Sequence, residues 1–285
     1  MILLDGFAVA NERNLKLKSL TDEHQKRGER LPKLAIILIG DNPASLSYVK
    51  GKGKACAVAG ILHELHHLNE NITHDEVASL IQSLNEDPTV DGMILQLPIP
   101  KHLDEEVLIN MIRKEKDADG FHVINQGNLY QKRPTIEPAT PKGIMTLLAH
   151  YNIKISGLNA VIVGRSNIVG FPVARLLMDQ GATITVCHRQ TKDLAFHTKQ
   201  ADLLVVASGK PHLITKGMVK EGAIVVDVGV NREEGKLIGD VDFDDVKDIC
   251  SYITPVPKGV GPMTINALLE NTYKLYLSHS KEASI

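Results

Sequence analysis

The stretch that most constrains the fold of this chain is residues 159–172, which read NAVIVGRSNIVGFP. Residues 160–163 form a short apolar run rich in β-branched side chains, which predicts a buried strand. Gly164 and Gly170 follow, and apolar residues then recur at helical spacing. A strand, a glycine-bearing turn and a helix together aim backbone N–H groups at a phosphate. Because the usual G-x-G-x-x-G is absent, an ordinary strand-to-helix turn that needs glycine for steric reasons stays open.

The strand expected after this helix carries a second indication. Residues 181–189 read GATITVCHR and predict a strand that ends near Cys187. Proteins that bind NAD usually have Asp or Glu at this point for the ribose hydroxyls, whereas this chain has His188 and Arg189. An arginine can bind a 2′-phosphate, which a carboxylate would repel. With Arg165 as a second candidate inside the turn, the pattern predicts NADP rather than NAD; two solvated surface arginines are the alternative.

Length, charge and cysteine content limit the remaining possibilities. The 285 residues suffice for one large or two modest domains. A net charge of −2 gives no general attraction to nucleic acid or to a membrane surface, and no apolar run approaches the length of a membrane span. The three cysteines lie far apart, with neither metal nor disulfide spacing. We therefore expect a cytoplasmic protein that binds neither nucleic acid nor membrane.

Predicted strands and helices alternate along the whole chain. In the first half, runs typical of buried strands occupy residues 34–40, 61–68 and 92–97. The second half adds strands at 201–208 and 223–229. Alternation of this kind indicates parallel sheets and an α/β fold.

The helix after the first of these strands carries the most chemically distinctive pair. Ser45 is predicted to cap this helix, and Tyr48 and Lys52 lie four residues apart, hence on one face. A lysine held in a partly closed site can lose its proton and act as a base. Lys50 and Lys54 lie nearby, so an ordinary solvated basic face is the alternative.

Two further polar residues of the first half occupy positions where ligands collect. Gln96 ends an apolar strand, and the carboxyl ends of parallel strands face ligands in open α/β sheets. Asp119 lies in the loop KDADG, where an ordinary Asp-Gly turn is the alternative. Spacing alone does not show whether these two residues converge with Tyr48 and Lys52.

A histidine-rich segment suggests a metal site, but the spacing does not support one. His63, His66 and His67 lie on the second predicted strand. Since no Cys, Asp or second His pair is spaced to complete a ligand set, we predict no bound metal.

The second half ends its strands in small residues and closes with a helix. Ser208 and Gly209 follow one strand, where small residues let a flat cofactor lie across the sheet edge, although turns need glycine in any case. Thr140 followed by Pro predicts a helix start. Residues 254–264 predict a rigid loop, and residues 265–278 a closing helix that packs on the first half.

Eight motifs in order resemble one known family, the bifunctional methylenetetrahydrofolate dehydrogenase/methenyltetrahydrofolate cyclohydrolases of the FolD type, over nearly the whole chain. They are GDNPASLSYVKGKGKAC (40–56), DGMILQLPIP (91–100), KDADGFH (116–122), PATPKGIMTLL (138–148), GRSNIVGFP (164–172), DVGVNR (227–232), GDVDF (239–243) and PVPKGVGPMT (255–264).

The resemblance implies an architecture and an activity. It implies an N-terminal folate-binding catalytic domain, residues 1–138 with the helix 265–285, and a Rossmann-like NADP-binding domain, residues 139–264, with a cleft between them. It also implies a homodimer formed largely through the nucleotide domains. The implied reactions are NADP-dependent oxidation of 5,10-methylenetetrahydrofolate to the 5,10-methenyl compound, and hydrolysis of that product to 10-formyltetrahydrofolate.

The resemblance also implies roles for individual residues. Lys52 is the expected catalytic lysine with Tyr48 as its aromatic partner, Gln96 hydrogen-bonds and tunes Lys52, and Asp119 holds the pterin ring. Gly261 and Pro262 are expected to line the folate site. The expected cofactor-binding residues are Gly164, Arg165, Ser166, Ile168, Gly170, His188, Arg189, Ser208, Gly209 and Val230.

The sequence departs from the family pattern at two positions, and the effect of each departure stays open. Three other functions also stay open. Lys258 stands where the family often has glycine, so this loop can differ in shape, and the lysine can reach the substrate tail. Arg189 stands where many members have serine; it either strengthens 2′-phosphate binding or holds a separate phosphate with NAD. The other functions are a shikimate-type reductase, a nucleotide sensor without activity and a dehydrogenase that lacks cyclohydrolase activity.

Overall fold

The computed structural model describes residues 1–233 and 235–282, with side chains through residue 280. It confirms the predicted α/β class with parallel sheets. The chain forms two compact units. The first unit comprises Asn11–Ala139 and the chain from Ile265, and the second unit comprises Met1–Ala10 and Thr140–Thr264.

The helices and strands follow one another along the chain with short connections. In chain order they are β1 (Ile2–Leu3), α1 (Gly6–Lys26), β2 (Lys33–Ile39), α2 (Pro43–Ala59), β3 (Leu62–Leu68), α3 (His74–Glu86), β4 (Gly92–Leu95), α4 (Glu105–Met111), α5 (Val123–Tyr130), α6 (Ala139–His150), β5 (Asn159–Val163), α7 (Gly170–Asp179), β6 (Thr183–Cys187), α8 (Leu194–Thr198), β7 (Leu203–Val206), β8 (Ile224–Asp227), β9 (Asn231–Glu233), β10 (Lys236–Ile238), α9 (Phe243–Val246), β11 (Tyr252–Ile253) and α10 (Val260–Glu282). Two 3₁₀ turns lie at Lys216–Met218 and Lys247–Ile249.

The first unit is built around a three-stranded parallel sheet in the order β3-β2-β4. The central strand β2 is apolar almost throughout and buried, as expected for a strand covered on both faces. Leu268 and Leu269 of α10 pack in the same apolar cluster as Leu34 and Ile36 of β2, so the closing helix does pack on the first half, as predicted.

The start of α2 differs from the prediction in a way that the sequence explains. Ser45 was expected to cap this helix, but it lies inside the first turn, and the Asn42 side chain accepts from the backbone N–H groups of Ala44 and Ser45. Pro43 occupies the first turn, where its fixed φ suits a helix start, and this moves the cap to the residue before it.

The second unit is built around a six-stranded parallel sheet in the order β1-β11-β8-β7-β5-β6. From β5 the chain moves to β6 on one side and then returns to β7 on the other. Such a reversal of strand order opens a crevice at the carboxyl ends of the strands, where ligands bind in α/β sheets. The turns after β5 and after β7 therefore flank the expected ligand position.

Residues 1–10 fall in the second unit, whereas the sequence analysis groups them with the N-terminal domain. β1 pairs in parallel with β11, and Leu4 and Val9 are buried in the same apolar cluster as Ile144. The other two boundaries between the units lie between residues 139 and 140 and between residues 264 and 265. The expected boundaries were between residues 138 and 139 and between residues 264 and 265.

Two helices start earlier than predicted. α6 begins at Ala139, and the hydroxyl of Thr140 hydrogen-bonds that of Thr264 at 3.0 Å. α10 begins at Val260 rather than 265, so that Gly261 and Pro262 lie in its first turn, where proline is tolerated. In the described ranges, no helix combines the length and the apolar character needed to cross a bilayer.

Candidate functional site

In the first unit, helix α2 carries Tyr48 and Lys52 one turn apart, as predicted. Lys52 is 5 % exposed, and its Nζ donates to Oε1 of Gln96 at 2.9 Å. Gln96 directly follows β4, and its backbone N–H donates to the carbonyl of Ile37 on β2 at 2.8 Å. Its side-chain amide donates to the carbonyl of Leu97 at 2.7 Å, which turns the side-chain oxygen toward the lysine.

Burial controls the protonation of this group of side chains. It lowers the pKa of Lys52, although the carboxylate of Asp119 opposes that effect. Burial raises the pKa of Asp119 to about 6, against the opposing charge of Lys52. Burial also raises the pKa of Tyr48. The site can therefore hold a neutral amine close to a carboxyl group that titrates near neutrality.

The loop that carries Asp119 is shaped by another carboxylate. The side chain of Asp117, buried and acceptor-only, receives hydrogen bonds from the backbone N–H groups of Gly120 and His122 at 3.0 and 2.8 Å, and from the Asn125 amide at 2.9 Å. Asn271 of α10 donates to the carbonyl of Ala118 at 2.9 Å. These interactions fix the loop on both sides of Asp119.

Asp117 and Asn271 are the supporting residues that the sequence analysis missed. Asp117 lies in the same KDADG loop as Asp119, and nothing in the sequence of the loop distinguishes its supporting role. Asn271 had a signal in the sequence, because it is a polar residue among the apolar positions of the closing helix.

In the second unit, the turn after β5 depends on its two glycines. Gly164 has φ +132, and a Cβ there would overlap the carbonyl oxygen of Ala207. A Cβ on Gly170 would overlap the carbonyl oxygen of Gly164. The hydroxyl of Ser166 accepts from the N–H groups of Val169 and Gly170 at 3.2 and 3.3 Å. Close backbone approach of this kind suits a phosphate at the start of α7.

The two arginines predicted for the 2′-phosphate follow neighbouring strands. Val163 and Cys187 are paired at the ends of β5 and β6, and Arg165 and Arg189 each come two residues later. Both are exposed, while His188 is half-buried. The structure therefore puts both arginines at the same edge of the sheet.

The turn after β7 offers fewer hydrogen-bond donors than its sequence suggests. The backbone N–H groups of Ser208 and Gly209 both donate to Oδ2 of Asp240, at 2.6 and 2.8 Å. The Ser208 hydroxyl donates to the same oxygen at 2.9 Å. Ser208 and Gly209 are exposed, as is Val230 beyond β8, so a ligand meets this turn without free backbone donors.

The remaining predicted residues belong to the second unit as well. Ile168, Gly261 and Pro262 are half-buried. Lys258 has φ +83, a left-handed conformation that favours glycine, and its carbonyl accepts from the N–H of Phe7 at 2.9 Å.

Among the expected residues, the structure brings Lys52 and Gln96 into direct contact, and Asp119 into electrostatic reach of Lys52. It gathers the expected cofactor residues of β5 to β8 along the carboxyl edge of one sheet. One unit has a buried lysine on a helix that donates to a glutamine at a strand end, and the other has a nucleotide-type parallel sheet. Together they define a two-unit α/β protein of the nucleotide-binding class.

Comparison with known proteins narrows this class. Residues 4–119 match the model of the tetrahydrofolate dehydrogenase/cyclohydrolase catalytic domain, and residues 138–280 match the NAD(P)-binding domain of the same family. The chain belongs to the tetrahydrofolate dehydrogenase/cyclohydrolase family.

Relatives match along nearly their full length. The bifunctional protein FolD of Acholeplasma laidlawii is 54% identical over 281 residues, which cover 99% of this chain and 100% of the relative. The crystal structure of FolD from Campylobacter jejuni has a TM-score of 0.95 at 51% identity and covers 98% of this chain and 99% of that one. The Trypanosoma brucei dehydrogenase-cyclohydrolase, complexed with NADP cofactor and inhibitor, has a TM-score of 0.93 at 35% identity, covering 98% of each chain.

The comparison with a shikimate dehydrogenase, the first alternative function, shows a similarity of fold alone. Shikimate 5-dehydrogenase from Thermus thermophilus has a TM-score of 0.55 at 14% identity, covering 86% of this chain and 93% of that one.

Proposed function

We propose that this chain catalyses two successive reactions of folate one-carbon metabolism, with Lys52 as the base of the second. The chain is a methylenetetrahydrofolate dehydrogenase that uses NADP and a methenyltetrahydrofolate cyclohydrolase. Membership in the family, with both of its domains, supports the two activities. The buried contact between Lys52 and Gln96, beside Asp119, is the observation that carries the role of the lysine.

The second unit fits NADP, because its glycine turn leaves room that side chains would fill. Gly164, Ser166 and Gly170 form the turn for the phosphates, and Arg165 and Arg189 supply charge for the 2′-phosphate. Bound NADP supplies the acceptor for a hydride from the folate. The choice of cofactor is tested by mixing the protein with 5,10-methylenetetrahydrofolate and either NADP or NAD and following formation of the reduced nucleotide by absorbance. Faster reduction of NAD would contradict the role of the arginines.

In the cyclohydrolase reaction, water adds to the methenyl carbon of the folate. The neutral amine of Lys52 accepts a proton from that water as the new C–O bond forms. The carbon–N5 bond then breaks as the lysine returns this proton to N5, and the hydroxyl group on the carbon releases its remaining proton to solvent as it becomes the C=O of 10-formyltetrahydrofolate. Burial favours the neutral amine, and the hydrogen bond from Nζ to Gln96 holds it in one orientation.

The other polar residues of the first unit have binding roles in this proposal. Asp119 accepts hydrogen bonds from the pterin ring, and Tyr48 lies beside the lysine as its aromatic partner. Gly261 and Pro262, in the first turn of α10, line the folate. The polar residues that act on the folate therefore come from the first unit, and the turn that holds the nucleotide phosphates comes from the second unit.

Lys52→Met tests the division of roles. Without the amine, cyclohydrolase activity should fall by a factor of about 100 or more, in the range of a lost general base, while oxidation of 5,10-methylenetetrahydrofolate is largely spared. Lys54→Met, an exposed lysine on the same helix, is the matched control. The two rates are measured by NADPH formation and by decay of the methenyl absorbance; equal loss of both rates would contradict the split.

Two properties of the whole protein complete the proposal. The chain forms a homodimer, and large exposed apolar side chains of the second unit, such as Met178 and Phe196, support an interface there. It acts in the cytoplasm, which its three free, buried cysteines support.

A further inference from the structure

Two carboxylates in the second unit have no part in the reactions derived above, yet both are buried. Asp227 ends β8 and is 3 % exposed, and Asp240 lies beyond β10 with no exposed surface. Among the described residues, every hydrogen bond to either carboxylate comes from an uncharged donor. Buried charges are costly without partners, so their retention calls for a physical reason.

Asp240 joins the turn after β7 to the start of β9. Its Oδ2 accepts hydrogen bonds from the two backbone N–H groups and the hydroxyl of the Ser208–Gly209 turn. Its Oδ1 accepts from the side-chain amide of Asn231, the first residue of β9, at 2.9 Å. One side chain thus fixes this turn relative to β9.

Asp227 in turn fixes Asp240. Its Oδ1 accepts from the backbone N–H groups of Gly229 and Asp240, at 2.9 and 3.0 Å, and its Oδ2 accepts from the N–H of Val241 at 2.9 Å. Because three backbone N–H groups bind one carboxylate, the backbone at residues 240 and 241 has little freedom to move relative to the end of β8.

Two glycines make room for these carboxylates. A Cβ on Gly229 would overlap the carboxylate of Asp240, and a Cβ on Gly239 would overlap that of Asp227. We call Asp227, Gly229, Gly239 and Asp240 the carboxylate lock.

The lock lies beside the expected position of the nucleotide. Asp227 pairs with Val206 at the end of β7, and Val206 pairs with Val163 at the end of β5, directly before the glycine turn. The strand order reverses around β5, so this edge is where ligands gather.

We propose that Asp240 is a positioning residue for NADP, held in place by Asp227. The lock keeps the turn after β7 in one conformation before the nucleotide arrives, so that binding need not order it. It also saturates the N–H groups of that turn, which confines phosphate binding to the turn after β5. The inference rests on the proposed use of NADP by this chain.

Substitution of Asp240 tests the lock. In D240A the donors of Ser208 and Gly209 lose their acceptor, and the dissociation constant for NADP, measured by calorimetry on the full-length protein, should rise about tenfold. D240N keeps one oxygen for these donors, and Asn231 can turn its own amide oxygen toward the new N–H group. We expect D240N to recover most of the affinity, and N231D/D240N, which exchanges the two groups, to resemble it.

Cyclohydrolase activity, assayed on 5,10-methenyltetrahydrofolate without nucleotide, reports on general folding and should stay within twofold of the wild type. Dehydrogenase kcat at saturating NADP should also stay within twofold, with the change confined to KM. D202N is the matched control: Asp202 stands at the opposite end of β7 and pairs with Lys220, so its loss should leave NADP affinity unchanged.

Three results would overturn the lock. They are unchanged NADP affinity in D240A, equal loss of NADP affinity and cyclohydrolase activity, and equal affinity loss in D240N and D202N. If D240A is insoluble, D240N and the exchanged pair decide: a similar loss of NADP affinity in both that is measurable but well below tenfold, with D202N unchanged, supports the lock, and no loss in either refutes it. A wild-type protein without NADP binding would refute the proposed function itself, independently of these variants.

Discussion

Lys52 differs from the other lysines of its helix because of its surroundings. Lys50 and Lys54 are exposed, whereas Lys52 is buried and donates to Gln96. A buried amine loses part of the hydration that stabilises its charged form. Burial therefore lowers the pKa of Lys52, and the amine loses its proton at a lower pH than an exposed lysine does. The proposed base therefore lies only two residues along the helix from each of two exposed lysines.

The pKa of Asp119 leads to a pH prediction for the wild type. Because burial raises that pKa to about 6, the carboxylate is ionised above pH 6 and protonated below it. If the charged form binds the pterin, KM for 5,10-methylenetetrahydrofolate should rise as the pH falls through 6. Steady-state kinetics between pH 5 and 8 measure this.

Asp119→Asn should remove that pH dependence and raise KM at pH 7 about tenfold or more, the range for a lost hydrogen bond to a charged group.

The same substitution should weaken substrate binding but stabilise the folded protein. A raised pKa in the folded state stabilises the protein at low pH, and this contribution is lost as pH rises through 6. Above pH 6 the variant should therefore melt at a higher temperature than the wild type; a KM that keeps its wild-type pH profile would contradict the role of Asp119.

At the scale of elements, the turn between β5 and α7 has no room for a side chain at either of its glycines. Gly170→Ala forces a methyl group onto the carbonyl oxygen of Gly164, and backbone cannot yield as a side chain can. We expect NADP to bind at least tenfold more weakly, with cyclohydrolase activity retained. Gly217→Ala, in a 3₁₀ turn of the same unit with open space around it, is the control. Wild-type binding of NADP by the Gly170 variant would separate this turn from the nucleotide.

The elements that the sequence predicted were those with local signals. β2 is a continuous apolar run, and β5 is a short β-branched run that ends at a glycine turn. α1 and α5 were not predicted, since neither has a strong apolar stripe in its sequence. The predicted cap of α2, Ser45, is wrong because the prediction did not take into account that Pro43 favours the first helical position, which makes Asn42 the cap.

The candidate site was predictable only in part, for a related reason. Helical spacing puts Tyr48 and Lys52 on one face, but the partner of Lys52 comes from a strand 44 positions away. Such a contact depends on the packing of α2 against the sheet, which no local pattern encodes. The amides of Ser208 and Gly209 are a similar case, because their acceptor Asp240 lies more than thirty positions further along the chain.

At the scale of the whole molecule, the N-terminal segment contributes to the second unit. Leu4 is fully buried among apolar side chains that include Ile144 and Ile162. Leu4→Ala should lower the free energy of unfolding by about 2–5 kcal/mol, the usual range for a buried leucine, and weaken NADP binding at elevated temperature. Leu3→Ala, at a residue that is 41 % exposed, should cost far less. Thermal unfolding with and without NADP measures both; equal effects would contradict the assignment of this segment.

The proposed homodimer is also tested on the intact protein. Sedimentation equilibrium should give twice the chain mass of 31.2 kDa. Phe196→Asp, which puts a charge on an exposed apolar position, should shift the equilibrium toward the monomer if this part of the second unit forms the interface. A wild type that sediments as a monomer would exclude the dimer.

The pairing of β1 with β11 has a consequence for how this protein is made. Ile2 and Leu3 are translated about 250 residues before the strand that they join, Tyr252–Ile253. Contacts between such distant parts of a chain form slowly and late. Residues 2 and 3 therefore lack their strand partner until residues 252 and 253 have been synthesised, and a chain that stops before residue 252 cannot form this pair of strands.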